Sequence, residues 1–228
     1  MKTQGWPTMT RDENVLEGCS RLLRLLACRE KMFMVMASYV DPDGKSPASV
    51  AGLLASQYAW KDFDAQCRTI KSLDTDAIPY SKILESGGVA GIAALADSQA
   101  SSAQSVLKAS TNPSNKIDPG LLCFEHCVLE AARRMQPAPP GQTVCFVMDW
   151  QDPLASSALW HLEDLMNFSP LSIRERFGAI GFEHSDTFLP LWAAQLLARR
   201  CSEMRDDYPS SPSLHGLSCT FLEAGSLA

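Results

Sequence analysis

The sequence lacks any apolar run near the ~18 to 20 uninterrupted residues that a membrane helix needs, so no membrane partner is expected. Its opening stretch, residues 1–14, is polar and carries acids, unlike the apolar core of a secretory leader. It has no C-x-x-C pair among its eight cysteines, Cys19, Cys28, Cys67, Cys123, Cys127, Cys145, Cys201 and Cys219. Several lie in apolar segments, as Cys145 does in Val144-Cys145-Phe146-Val147, so buried thiols in a reducing, cytoplasmic setting are expected rather than a disulfide framework. There is no G-x-S-x-G elbow, P-loop or G-x-G-x-x-G; Gly87-Gly88-Val89-Ala90-Gly91 has no lysine-serine sequel. An excess of positive charge is missing too. Twenty Lys and Arg face 26 Asp and Glu, a net charge of −6, which argues against a broad phosphate-gripping surface but not against an acidic metal site.

What is present is an ordinary globular composition, 46% hydrophobic and 20% charged, in 228 residues, enough for one domain with an appendage. Val15, Cys19, Leu22, Leu23 and Leu26 recur at helical spacing within an N-terminal extension of residues 1–30. Met32 to Val40 is apolar on both faces and short, the pattern of a buried strand. It stops at Asp41-Pro42-Asp43-Gly44, a turn, and Ser49 to Ala55 reads as the second strand of an antiparallel hairpin. A helix follows over 57–72, its inner face carrying Trp60, Phe63, Cys67 and Ile70. Residues 86–116 are rich in Gly, Ala and Ser and read as a weak helix over 89–109, anchored by Ile92, Leu95, Val106 and Leu107. Gly120 to Met135 is a clearer helix, with Leu121, Phe124, Val128, Ala131 and Met135 inward and Glu125, Glu130, Arg133 and Arg134 outward. Then come a strand at Thr143 to Met148, a helix over 153–167, a strand at Phe177 to Phe182 and a helix at Leu189 to Met204; residues 206–228 read as an irregular tail. Strand and helix alternate in the second half, which implies parallel strands. The sum is an α/β domain over residues 31–205 with a mixed sheet flanked by helices.

Two aspartates stand at strand ends, Asp41 after the first strand and Asp149 after Val144 to Met148. Buried carboxylates need a partner. Two strand-end carboxylates side by side repel, and Mg²⁺ or Mn²⁺ relieves the repulsion. A plain turn at Asp41 and a helix cap at Asp149 explain the same residues.

In their order these segments resemble the bacterial and phage family called domain of unknown function 3800, whose members have a ribonuclease H-like fold. Its first strand commonly ends in Asp-Glu-Ser-Gly, where this chain has Asp41-Pro42-Asp43-Gly44. A Val-Ala-Gly strand and a tryptophan-bearing helix are matched by Val50-Ala51-Gly52-Leu53 and Ala59-Trp60-Lys61-Asp62-Phe63. The middle strand is matched by Phe146-Val147-Met148-Asp149. The last strand and helix are matched by Phe182-Glu183-His184-Ser185 and by Pro190-Leu191-Trp192-Ala193-Ala194-Gln195-Leu196-Leu197-Ala198. The likeness spans roughly residues 32 to 205.

It implies that Asp41 and Asp149 are catalytic metal ligands for Mg²⁺ or Mn²⁺, with Gln195 at the third ligand position; Asp43, in place of the family's serine, is a further metal-ligand candidate that would compensate. Gln195 stands where the family has its third carboxylate, and an amide is a weaker ligand for a hard cation. The family's Phe-His segment has its counterpart at Pro79-Tyr80-Ser81-Lys82, without the histidine and acid. Asp152, Glu183 and Asp186 are the acids that would compensate, and His184 is the better placed of two acid-base candidates beside His161. Helical spacing groups Gln195 with Leu191, Ala194 and Ala198, leaving the bulkier Trp192 and Leu196 side for the core.

The expected function is divalent-metal phosphodiester hydrolysis on nucleic acid. The alternative is a catalytically inactive relative that binds nucleic acid or a protein as an accessory factor, or one that works as a homo-oligomer. Arg174, Arg176, Arg199 and Arg200 form either a basic rim for phosphates or a solvated face. Cys123 and Cys127, four apart on one helix, form half a zinc site with no second half, and read as core cysteines.

Overall fold

The computed structural model describes residues 32–39, 47–71, 88–97, 118–203 and 217–222. The predicted 15–28 helix, the boundary at residue 30, and Asp41, Asp43 and Tyr80 lie outside these residues.

The strands are β1 (Met32–Tyr39), β2 (Ala48–Ser56), β3 (Val89–Ala96), β4 (Val144–Asp149), β5 (Phe177–Glu183) and β6 (Leu217–Leu222). The helices are α1 (Gln57–Lys71), α2 (Pro119–Arg134), α3 (Ala155–Phe168), the single turn α4 (Leu171–Arg174) and α5 (Leu189–Glu203). The six strands form one sheet in the order β5-β4-β1-β2-β3-β6. β1 and β2 are antiparallel, as the Asp-Pro-Asp-Gly sequence between them predicts, and so are β2 and β3. β4 runs parallel to β1 and to β5, and β6 parallel to β3, so the sheet is mixed.

Side chains alternate between two apolar layers, as period-2 strands require. Met34 and Met36 of β1 and Phe146 and Met148 of β4 face the layer under α2 and α3. Phe33, Val35 and Ala37, with Cys145 and Val147, face the layer under α1 and α5. Burial on both faces explains why β1 and β4 read as uninterrupted apolar runs. Gly52 of β2 lies opposite Met36, and a Cβ there would run into the Met34 side chain. The bare backbone is what lets both methionines lie across the strand.

Three expectations change. Residues 89–96 are the strand β3, not a helix. Ile92 and Leu95 have helical spacing, but they fall on opposite layers of the sheet. With β2 on one edge, β6 on the other and both faces covered, the long-range pairing overrides the helix preference of alanine. Residues 217–222 are not irregular but form β6, paired with β3 over Gly91–Ala96, so the sheet extends past residue 205. Glu125 does not point to solvent: it is 2% exposed, because α3 packs on the flank of α2 that the sheet leaves open. Its carboxylate Oε2 lies 2.9 Å from Nε2 of His161 on α3. Cys123 and Cys127 are core residues whose thiols donate to the carbonyls of Ala48 and Val50.

Candidate functional site

The chain leaves β1 toward β2 on one side of the sheet and leaves β4 toward β5 on the other. The carboxyl ends of the parallel neighbours β1 and β4 therefore flank a topological switch point, where open α/β sheets place their ligands. Asp149 is the last residue of β4 and pairs in register with Glu183, the last residue of β5. Both side chains lie on the α5 face, the face of Val147.

Asp149 is 2% exposed, and protein donors occupy both of its oxygens. Oδ1 accepts from the backbone N–H of Gln151 at 2.8 Å. Oδ2 accepts from the backbone N–H of Ser185 at 3.1 Å and from Nε2 of Gln195 at 3.2 Å. The carboxylate thus ties the end of β4, the loop after β5 and helix α5 into one latch. Gln195 turns its amide N–H, not its oxygen, toward Asp149 (an assignment that follows from the carboxylate being acceptor only). The register that pairs Met36 with Met148 puts Ala37 beside Asp149, so β1 brings no carboxylate to that position.

The opposite side of the switch point is closed by Asp152. Its carboxylate accepts from Ser38 N–H at 2.8 Å and Ser38 Oγ–H at 2.6 Å, and from Leu154 N–H at 2.8 Å. Asp152, not Asp149, therefore shapes the entry to α3. No sequence signal marks Ser38 for this role, because its partner lies 114 residues away.

Glu183 is half-buried, and burial pushes its carboxyl above the usual range, with His184 opposing the shift. A raised folded-state value means that stability falls as pH rises from the unfolded value of about 4.3 through the folded one. Glu183→Gln is expected to raise Tm at neutral pH in metal-free buffer. The gain should vanish below about pH 4, and a pH-independent difference would contradict the burial argument. His184 and Asp186 are exposed in the turn after β5.

Arg176 takes no part in a basic rim. Arg176 is bound to four carbonyls between α2 and β4: Nη1 donates to Pro139 (2.9 Å) and Gln142 (3.3 Å), and Nη2 to Gln136 (3.2 Å) and Ala138 (2.9 Å). Arg199 and Arg200 pair with Glu203. The burial of α5 also differs from expectation. Leu191, Ala194, Leu197 and Ala198 enter the core while Trp192 and Leu196 are only half-buried, because small residues let the helix lie close on β1 and β2.

The apolar residues of α3 fall into two sets. Ala155, Ala158, Leu162 and Leu165 are its buried stripe. Leu159, Trp160, Met166 and Phe168 lie off that stripe and are exposed, Trp160 by 67%; Trp150 is 65% exposed nearby. All but Phe168 border clefts: one of 340 Å³ lined by Trp150, Leu159, Trp160 and Phe182, and a second of 540 Å³ between Leu159, Met166 and the first half of β5.

The described residues supply two adjacent carboxylates at the site, Asp149 and Glu183. Among the described residues, no group of three or more His, Cys, Asp or Glu is arranged to hold a metal ion.

The chain is an α/β protein whose mixed six-stranded sheet is flanked by helices, and it has a ribonuclease H as a structural neighbour. That neighbour is the crystal structure of a mutant protein of Bst-RNase HIII, with 15% identity and a TM-score of 0.45 over 76% of this chain. The alignment spans about half, 52%, of the solved chain. A likeness at that level says nothing of substrate or activity here. No family model matches the sequence, and no curated protein matches it. Among the described residues, no helix is long and apolar enough to cross a membrane.

Proposed function

We propose that this chain is an attenuated divalent-metal phosphodiesterase of ribonuclease H-like type, acting on nucleic acid. The observation that carries the reading is the pairing of Asp149 with Glu183 at the carboxyl end of the sheet, beside the end of β1. Asp41 and Asp43 follow β1 in the sequence and would complete the donor set. All these donors are carboxylate oxygens, which suits Mg²⁺ or Mn²⁺ over softer metals. Such an ion would activate water and offset the charge of the leaving oxygen. Gln195 and the N–H groups of Gln151 and Ser185 compete with it for Asp149, which is the physical cause of attenuation.

Calorimetric Mn²⁺ titration tests the reading, alongside nicking of single- and double-stranded oligonucleotides. Wild type should bind weakly, and Asp149→Asn should give no heat and no nicking. Gln195→Asp should bind about 10- to 100-fold more tightly, the range by which groups contacting metal ligands change affinity. No heat from any of the three proteins sinks the reading.

A second reading, an inactive accessory factor that binds a protein, is favoured by the exposed Trp150, Leu159, Trp160 and Met166, which line two adjoining clefts. Contiguous apolar surface of this kind, rimmed by polar residues, marks interaction sites. On that reading, partner binding survives Asp41→Ala and is lost in Trp160→Glu.

A further inference from the structure

Among the described residues, an apolar face lies uncovered on the flank of α3 beside β5, an edge strand of the sheet. The 540 Å³ cleft there is lined by Leu159, Met166 and Ile180, with Glu163 among its side chains. Leu159 also lines the 340 Å³ cleft of Trp150 and Trp160, so the two clefts adjoin. Contiguous apolar surface on a domain marks a contact. The sequence also holds a stripe in want of a face. Val15, Cys19, Leu22, Leu23 and Leu26 recur at helical spacing in residues 15–28, which lie outside the described residues. A helix of that length is marginal in water by itself and draws its stability from packing its apolar stripe.

We propose that residues 15–28 form a helix that seats its leucine stripe in the clefts between α3 and β5 of the same molecule.

Position, length and charge select this occupant. α3 runs back from the carboxyl end of β4, where Trp150 and Ala155 line the smaller cleft, to the start of β5, where Met166 and Phe177 line the larger. Met32, Val144 and Phe177 are in register across β1, β4 and β5, so the chain joins β1 at that same end of the sheet. Met32 itself packs on the apolar layer that holds Leu162, Leu165 and Phe177. The start of β5 lies two strand spacings, about 10 Å, from β1. Residues 27–31, which follow the last leucine of the stripe, span up to about 17 Å when extended. A helix over 15–28 is about 21 Å long, which matches the 14-residue α3.

The charges are complementary. α3 carries Glu163 and Asp164 and no Lys or Arg. Residues 15–31 carry Arg21, Arg24, Arg29 and Lys31 against Glu17 and Glu30. A second copy of the chain docked by the same face would instead bring Glu163 and Asp164 toward their own images. The segment is thus a built-in occupant of the face. A separate protein that uses Trp160 has to displace it, and binds more weakly by the fraction of molecules in which the face is open. None of this depends on a metal at Asp149.

Photo-crosslinking in the full chain tests the proposal, with p-benzoylphenylalanine replacing Leu159, which is 41% exposed and so accepts the probe. Illumination of dilute protein should give an adduct of monomer mass whose peptide map joins the probe to residues 15–28. Amide exchange supplies a second readout without the probe. Residues 15–28 should be protected by about tenfold or more at every protein concentration. Met166→Glu should remove that protection and leave β1 and β4 protected as in wild type; Met166 is also 41% exposed, so the core is untouched. An adduct found only between molecules overturns the proposal, as does one with a different segment. Unprotected amides over 15–28, protection that depends on concentration, or protection that persists in Met166→Glu overturns it equally. The wild-type exchange map decides the matter even if the probe-bearing protein fails to fold.

Discussion

Asp149→Ala should lower the free energy of unfolding by about 3 to 5 kcal/mol, with a Tm drop of roughly 6 to 20 °C. The effect is large because three donors converge on the carboxylate at 2.8, 3.1 and 3.2 Å, from Gln151, Ser185 and Gln195. Deletion leaves the N–H of Gln151, the N–H of Ser185 and the Gln195 amide facing a space where the remaining side chain offers no acceptor. Each unsatisfied buried group costs about 1 to 3 kcal/mol, reduced where water enters. Asp149→Asn should cost less, about 1 to 2 kcal/mol, since it keeps one oxygen but turns an amide against one donor. Equilibrium denaturation in urea with EDTA present measures this without any contribution from metal. A loss below about 1 kcal/mol for Asp149→Ala would show that the latch contributes little to stability, which would leave metal binding as the reason for a carboxylate at this position.

Glu125→Ala is the second large effect, with an expected loss of about 3 to 5 kcal/mol. The Glu125 side chain is 3% exposed and that of His161 10%, and they meet at 2.9 Å between α2 and α3. Removing the acid strips the imidazole of its buried partner and leaves a void where α3 leans on α2. The net worth of the pair is a different quantity. Replacing both residues with apolar ones of similar volume removes the desolvation cost along with the attraction. The double variant Glu125→Leu with His161→Phe should therefore recover most of the stability lost in Glu125→Ala. Phe124 already contacts the His161 ring edge-on at 6.4 Å, so an aromatic ring at 161 has a neighbour to pack on. Chemical denaturation of the single and double variants completes the cycle; a double variant no better than Glu125→Ala would show that the pair holds the two helices by more than filling space.

Much of the sheet was legible because its central strands obey local rules. Met32 to Tyr39 and Val144 to Asp149 are short and apolar throughout, and the turn at 41–44 implied an antiparallel neighbour for the first of them. The helices α1, α2 and α5 announced themselves by period. The segment at 89–96 did not, because alanine and glycine carry little pattern and Ile92 and Leu95 fit either period. The strand at 217–222 was missed for a related reason. Leu217-Ser218-Cys219-Thr220-Phe221-Leu222 alternates, but it is short and flanked by polar chain, and its strand character comes from the open edge of β3.

The candidate site divides in the same way. Asp149 could be singled out as a carboxylate at the end of an apolar strand, and Gln195 by its place on the last helix. That they bond each other depends on α5 crossing the sheet, a contact between residues 46 apart. The Ser38–Asp152 and Glu125–His161 pairs likewise join elements remote in the chain.

The sequence by itself determined which segments are strands and helices where apolar period is strong, the parallel character of the second half, and which acids stand at strand ends. Only the tertiary structure decided that the Asp149 oxygens are already occupied by protein donors, that Glu125 is buried, and that residues 89–96 and 217–222 extend the sheet. The reason is one of range. Period and turn chemistry act between near neighbours in the chain, whereas the partner of a buried polar group and the pairing of a weakly patterned strand are set by elements that meet only once the sheet has formed.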